Sequence, residues 1–163
     1  MKKYELTDDT ITVEGRTLHR IKALKSFSNV EEGELGGYVE KEDNLDQRGD
    51  AWVYGDARVY GNAQVYGDAR VSGNAQVCGD ARVYGDAWVS GENDYTTAKG
   101  FGREYRTTTF FRLKDGGIGV RCGCFYGTLD EFRKKVKETH KESKLGKEYL
   151  MLADLMEYKF KNE

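Results

Sequence analysis

From Ala51 to Glu92 the chain alternates apolar and polar positions under a longer period of six: AWVYGD, ARVYGN, AQVYGD, ARVSGN, AQVCGD, ARVYGD, AWVSGE. The first position is always Ala, the third Val and the fifth Gly; the sixth is Asp, Asn or Glu, and the second and fourth vary. An Ala-x-Val-x segment has period two, so Ala and Val share one face of a short strand and the variable residues share the other. Gly followed by Asp or Asn then turns the chain. A strand of this length cannot bury itself, but stacked coils can. Each buried Val contributes about 1.5–3 kcal/mol before ordering entropy is subtracted. Upstream the pattern fades: Val39 and Leu45 fall at the Ala position, and Gly37 and Gly49 at the Gly position. These units predict a degenerate terminal coil that caps the array.

The flanks read differently. In residues 1–36, TITVEGRTLHRI alternates around Glu14-Gly15 and predicts a β-hairpin, with Ile11 and Val13 on one arm and Leu18 and Ile21 on the other. A lone hairpin is marginal in water, so this one is expected to lie over the open end of the array. In residues 93–163, REYRTTTFFRL and GGIGVRCGCFYG predict two strands joined at Lys114-Asp115-Gly116-Gly117. Thr128 and Glu131 form a capping box that opens a helix through about Lys141, with Leu129, Phe132 and Val136 on one stripe. Gly146 is expected to break the chain before a second helix with Tyr149, Leu152, Leu155, Met156 and Phe160 on its apolar side.

The V-x-G-[DN]-A repetition over residues 37–92 resembles the hexapeptide-repeat, left-handed parallel β-helix proteins. The resemblance implies triangular coils of 18 residues, about three of them here, and subunits that associate as trimers. The fold expected is mainly β: a short left-handed β-helix with an N-terminal hairpin cap (1–36) and a C-terminal α+β unit (93–163). The succession GELGGYVEKEDNL, repeat array, GGIGVRCGCFYGTLDEFRKKVKETH also resembles a group of phage- and prophage-encoded proteins of this type.

Composition narrows the classes. The 163 residues carry a net charge of −2, which gives no bulk attraction for nucleic acid. Residues 1–100 hold 12 Lys and Arg against 18 Asp and Glu, and residues 101–163 hold 14 against 10, so the chain is electrically two-ended. Twenty glycines without a single proline, periodic through the middle of the chain, indicate a repeat rather than a linker. No apolar run is long enough for a membrane span, and MKKYELTDD lacks the apolar stretch of a secretory signal. Three cysteines, Cys78, Cys122 and Cys124, an odd number, argue against a disulfide framework and fit the reducing cytoplasm of a bacterial host cell.

Candidate chemistry sits in the variable positions. With coils of 18, residues 18 apart stack about 4.8 Å from one another. Trp52, Arg70 and Trp88 then form one column, with the guanidinium between two indoles at cation–π spacing. Arg58 lies over Gln76, Gln64 over Arg82, Tyr66 on Tyr84 and Tyr60 on Cys78. Such rows serve either as a subunit interface, where Trp, Tyr and Arg are the usual anchors, or as a site for a flat anionic ligand of nucleotide type. An acyltransferase, the enzymatic alternative in this family, would need a histidine base, but His19 and His140 both lie outside the array. Cys122-x-Cys124 lacks a second pair for zinc and is expected to pack in a core. Asp56, Asp68, Asp80, Asp86 and Glu92 make an acidic row suited to turns or to mimicry of a phosphate backbone. Arg133, Lys134, Lys135, Lys137, Lys141, Lys144 and Lys147 give a basic helix face.

Together these features predict a non-enzymatic homotrimer without cofactor or metal. Its expected task is to sequester a nucleotide-type immune signal on behalf of a phage. The alternatives are an inhibitor that occupies a host defence protein in the manner of an anti-CRISPR protein, an acyltransferase, and a structural trimerisation protein.

Overall fold

The computed structural model describes residues 1–161. The chain is mainly β, a β-solenoid closed by a different cap at each end. Strands β1 (Tyr4–Val13) and β2 (Arg16–Ala23) form the predicted hairpin, turning at Glu14 and Gly15 with φ of 52° and 77°. Strand β3 (Leu35–Val39) pairs antiparallel with β2 and parallel with the first repeat strand on its face. It therefore belongs to cap and solenoid together, and a boundary at residue 36 runs through it.

Seven two-residue strands follow: β4 (Trp52–Val53), β5 (Arg58–Val59), β6 (Gln64–Val65), β7 (Arg70–Val71), β8 (Gln76–Val77), β9 (Arg82–Val83) and β10 (Trp88–Val89). They stack in parallel with a stagger of eighteen residues, Trp52 on Arg70 and Arg70 on Trp88, Arg58 on Gln76, Gln64 on Arg82. Three faces result, and every Ala and Val of the repeat is fully buried between them. Rungs are tied by main-chain bonds such as Tyr54 N–H to Val71 C=O (2.7 Å) and Arg70 N–H to Ala87 C=O (2.8 Å). Gly67 shows why the fifth position admits no side chain. It has φ of +70°, and a Cβ there would lie 2.8 Å from the backbone N of Gly85 in the next coil.

The first coil departs from the expected alignment. Val39 stacks on Val59 and Leu45 on Val65, twenty residues apart. Both therefore occupy the Val position, not the Ala position, and Gly37 replaces Ala: a Cβ there would lie 2.5 Å from the Ala57 carbonyl oxygen. The extra two residues fall between Leu45 and Gly49, and they are used. The Gln47 side chain accepts from the main-chain N–H of Lys3 (2.8 Å) and Tyr4 (3.2 Å) and donates to the Tyr4 carbonyl (3.2 Å), clamping β1 to the solenoid. On the third face the coil has a 3-10 turn at Glu42–Asn44 instead of a strand. Buried Asn44 supplies the missing donors, bonding the carbonyls of Gly61 (3.2 Å) and Ala63 (2.8 Å).

Lys3 is the notable charge in this cap. It is 1% exposed, its ammonium donates to the carbonyls of Ala51 (2.7 Å) and Gly49 (3.3 Å), and it lies 5.2 Å from the centre of the Phe27 ring. Burial pulls its pKa down to about 8 from the ordinary 10.5. Below about pH 8 the residue is charged in both folded and unfolded chains. Above it the unfolded chain holds the extra proton, so stability rises with pH, by about 1 kcal/mol per unit up to about pH 9.5. Urea unfolding across this range is expected to show the rise, and Lys3→Met to flatten it; an equal slope in the variant would rule Lys3 out. The buried Tyr4 hydroxyl, raised well above the ordinary tyrosine range by desolvation, acts in the opposite sense only once unfolded tyrosines ionise.

Beyond the solenoid lies a four-stranded antiparallel meander, β11 (Tyr95–Phe101), β12 (Arg106–Arg112), β13 (Ile118–Cys122) and β14 (Phe125–Thr128), two strands more than the sequence predicts. Helix α1 (Leu129–His140) opens at the Thr128–Glu131 capping box, and α2 (Lys144–Lys159) at Ser143. Gly146 does not break the chain. It sits in the first turn of α2, where a Cβ would lie 2.9 Å from that of His140. Tyr149, Leu152, Met156 and Phe160 are buried as expected, whereas Leu155 is 56% exposed and Ala153 takes its place against the core. Arg133 is not a free member of the basic face: it binds Asp154 and Glu157 (both 2.9 Å) and so ties α1 to α2.

The sheet of this unit closes the second open end. Phe111 enters the solenoid core as a fully buried plug, with Leu113 and Tyr95 beside it. Two hydrogen bonds seal the joint, from Arg82 N–H to the Thr109 side-chain hydroxyl (3.0 Å) and from Lys114 N–H to the Asp86 carbonyl (2.9 Å).

Candidate functional site

Because Ala and Val point inward, the second and fourth positions of each unit must face outward, and the eighteen-residue stagger brings them into rows. Trp52, Arg70 and Trp88 do share one row. They do not form a sandwich. Trp52 is fully buried under the N-terminal cap, edge-on to Tyr4 (6.1 Å, 74°) and Phe27 (5.2 Å, 71°), and a side chain at Gly36 would lie within 2.8 Å of its ring. The solenoid's first rung has no coil beneath it, so its largest apolar side chain is recruited to fill the cap. Trp88, on the last rung, remains 43% exposed.

Arg70 instead lies between Trp88 and Tyr54, its guanidinium carbon 5.0 Å and 5.9 Å from the two ring centres. Tyr54 is fixed by donating to Asn29 Oδ1 (2.9 Å). Among the described residues Arg70 makes no ion pair and no side-chain hydrogen bond. These three residues floor a groove of about 540 Å³ between the solenoid face and the β12–β13 turn. Ser72 and Ser90 add hydroxyls, and Arg112 and Lys114 reach it from the C-terminal sheet. Arg112 is held by Asp94 (3.0 Å) and the Phe160 carbonyl (3.3 Å). Burial alone would raise the Asp94 pKa, but donors from Ser90 and Arg112 outweigh it and keep the carboxyl below its usual range. The groove thus holds three cations, Arg70, Arg112 and Lys114, and one carboxylate that is already engaged.

The acidic residues of the sixth position do not make one row, because each step of six moves to the next corner. Asp50, Asp68 and Asp86 line one corner beside Arg70 and Trp88, around a smaller cavity of about 200 Å³. Asp80 stands with Asn62 (3.4 Å) on another and is also bound by Lys99 (3.2 Å). Asp56 pairs with Arg20 (3.2 Å) beside the hairpin.

The other rows serve the caps. Tyr66 and Tyr84 do meet, edge-on at 4.2 Å and 60°, but Tyr126 of β14 packs on Tyr84 at 4.7 Å, and the Arg121 guanidinium lies 5.7 Å from the Tyr66 ring and 5.3 Å from the Tyr84 ring. This pair seats the C-terminal sheet. Arg58 is half-buried over Gln76, and Tyr60 joins Val13, Leu18 and Tyr38 in a small apolar cluster with Cys78 at its edge. Gln64 and Arg82 remain exposed on the third face.

His19 contacts the Thr7 carbonyl through Nδ1 (3.0 Å), and His140 lies beside Tyr149, so neither meets the Arg70 groove. Cys122 is half-buried next to Thr108, while Cys124 is exposed in the β13–β14 turn and not on the strand. Among the described residues no group of three His, Cys, Asp or Glu is placed to hold a metal, and no helix is long and apolar enough to cross a membrane.

Tyr54, Ser72 and Ser90 are eighteen apart and form a row that the sequence already contains. Arg112 and Lys114 carry no signal in the repeat, because the fold of the C-terminal unit brings them there.

The fold and its stacked rows define a β-solenoid repeat protein with a small C-terminal helical unit. Residues 51–65, 63–77 and 75–91 each match the YdcK beta solenoid repeat, so the similarity covers the array and leaves both caps outside it. No curated protein matches the chain.

Proposed function

We propose that the protein is a non-enzymatic binding protein whose ligand is a flat anion of nucleotide type, held in the Arg70 groove. The observation that carries this reading is the unpaired Arg70 guanidinium between Tyr54 and Trp88 on the groove floor. Trp88 offers a partly open π-surface for a base, and Arg70, with Arg112 and Lys114 at the rim, offers charge-assisted donors for a phosphate. The Asp50–Asp68–Asp86 corner next to the groove disfavours a long polyanion, which favours a small ligand over a nucleic-acid strand. The resemblance to phage and prophage proteins supports a counter-defence role, the withdrawal of a nucleotide-type signal in the host cytoplasm. In this reading the solenoid is a left-handed, hexapeptide-type helix and three copies associate along the exposed Gln64–Arg82 face. The acidic corner favours a second reading, occupation of a basic site on a host defence protein.

The test is thermal shift with mono-, cyclic and cyclic dinucleotides, alongside native mass spectrometry. A true ligand at about 100 times its Kd adds about 2.7 kcal/mol, which is several degrees in Tm. Arg70→Ala and Trp88→Ala are expected to abolish the shift and leave the oligomer intact. If no nucleotide raises the Tm, or if either substitution dissociates the oligomer, the row is an interface and the ligand reading fails. Co-purification with a host protein and no small-molecule shift would establish the second reading.

A further inference from the structure

A second cavity lies at the opposite end of the C-terminal sheet. Strand β12 runs from it at Arg106 to the first groove at Arg112, a span of about 20 Å at strand rise. It encloses about 340 Å³ between the β11–β12 turn, the β13–β14 turn and the first face of α1, a volume within the range of small-molecule sites.

Its two ends differ in chemistry. The floor is hydrocarbon: Phe132 packs edge-on to Tyr149 (5.7 Å, 89°) and against Phe125 (5.7 Å, 56°), and Val136 and Phe101 complete it. The mouth is cationic, lined by Arg103, Arg106 and Lys135, with the His140 ring beside them. The carboxylate at the mouth, Glu104, is taken by Arg106 through Nε (3.1 Å) and Nη2. Arg103 and Lys135 have no ion-pair partner among the described residues. Phe132, Val136 and Tyr149 are buried core residues that back the floor, the half-buried Phe101 and Phe125 present its open apolar surface, and two unpaired cations stand over its entrance. The Tyr149 hydroxyl sits between, 3.9 Å from Cys122 Sγ, as a polar group in the wall.

We infer that this cavity binds a small amphipathic organic acid, one anionic group on a single aromatic or alkyl body. The body packs on Phe101 and Phe125 above the buried Phe132 and Val136, and the anion rests between Arg103 and Lys135. A bare inorganic anion would leave the floor empty, and a neutral hydrocarbon would leave the cations without a counter-charge. This site shares no residue with the Arg70 groove and stands or falls independently of the function proposed for it.

The exposed thiol of Cys124 lies at the mouth and reports occupancy. The probe is 8-anilinonaphthalene-1-sulfonate, an aromatic body with one sulfonate, titrated into the full chain and then displaced with decanoate. The expected result is one saturable, blue-shifted site per chain, competed by decanoate, with alkylation of Cys124 by iodoacetamide slowed at least fivefold while Cys78 is unaffected. The exposed-residue pair Arg103→Glu and Lys135→Glu, combined, should weaken the dye at least tenfold with an unchanged circular dichroism spectrum, and Arg70→Ala should leave it unaltered. Absence of a saturable site, indifference to the charge reversal, or an unprotected Cys124 would each overturn the assignment.

Discussion

Trp52→Ala is expected to lower stability by about 3–5 kcal/mol, whereas Trp88→Ala, in the same row two coils on, should cost less than about 1 kcal/mol. The two residues occupy identical positions in the repeat and meet opposite surroundings. Trp52 is sealed between Tyr4, Phe27 and the backbone at Gly36, so truncation leaves a cavity in a region that cannot collapse, because β3 and β4 are fixed by the ladder. Trp88 loses mainly its stacking on Arg70. Urea midpoints at constant m-value measure the difference. Equal losses would mean that Trp52 is not the anchor of the N-terminal cap.

Phe111→Ala is expected to produce a loss of similar size, about 3–5 kcal/mol, for a related reason at the other end. Phe111 belongs to the solenoid core although it comes from the C-terminal sheet, and it lies parallel to Tyr126 at 6.4 Å. Its removal opens the last coil to water beneath Val83 and Val89. Hydrogen exchange should then accelerate first at residues 82–89 and leave residues 58–77 close to their original protection. Uniform acceleration along the solenoid would show that the plug acts on the whole stack rather than on its end.

These two residues also mark where sequence reading succeeds and stops. The stacked Val rows, the outward second and fourth positions and the Thr128 cap were legible because each rests on a local period or a local hydrogen bond. The twenty-residue first coil was not, because Gln47 and Arg48 are added without disturbing the composition, and their purpose appears only when Gln47 meets β1. Strand β11 was missed because Lys99-Gly100 interrupts its alternation, and β14 because four residues are too few to show one. Trp52 and Trp88 are indistinguishable in the repeat. Which of them is open to a ligand depends on what the neighbouring cap covers, and that is a property of the ends rather than of the unit. Tyr66 and Tyr84 repeat the lesson, since their row looked free until Arg121 and Tyr126 were folded over it.

The eighteen-residue stagger has a further consequence for how such a chain can change length. Adding or removing one whole coil slides the two caps apart or together along the axis and leaves every residue on its own face. Adding a single six-residue unit is a different operation. It carries the β12–β13 turn to the next face, so Arg112 and Lys114 would no longer overlook Arg70. The solenoid therefore acts as an indexing device: it can lengthen by translation, but only steps of a full coil keep the groove assembled.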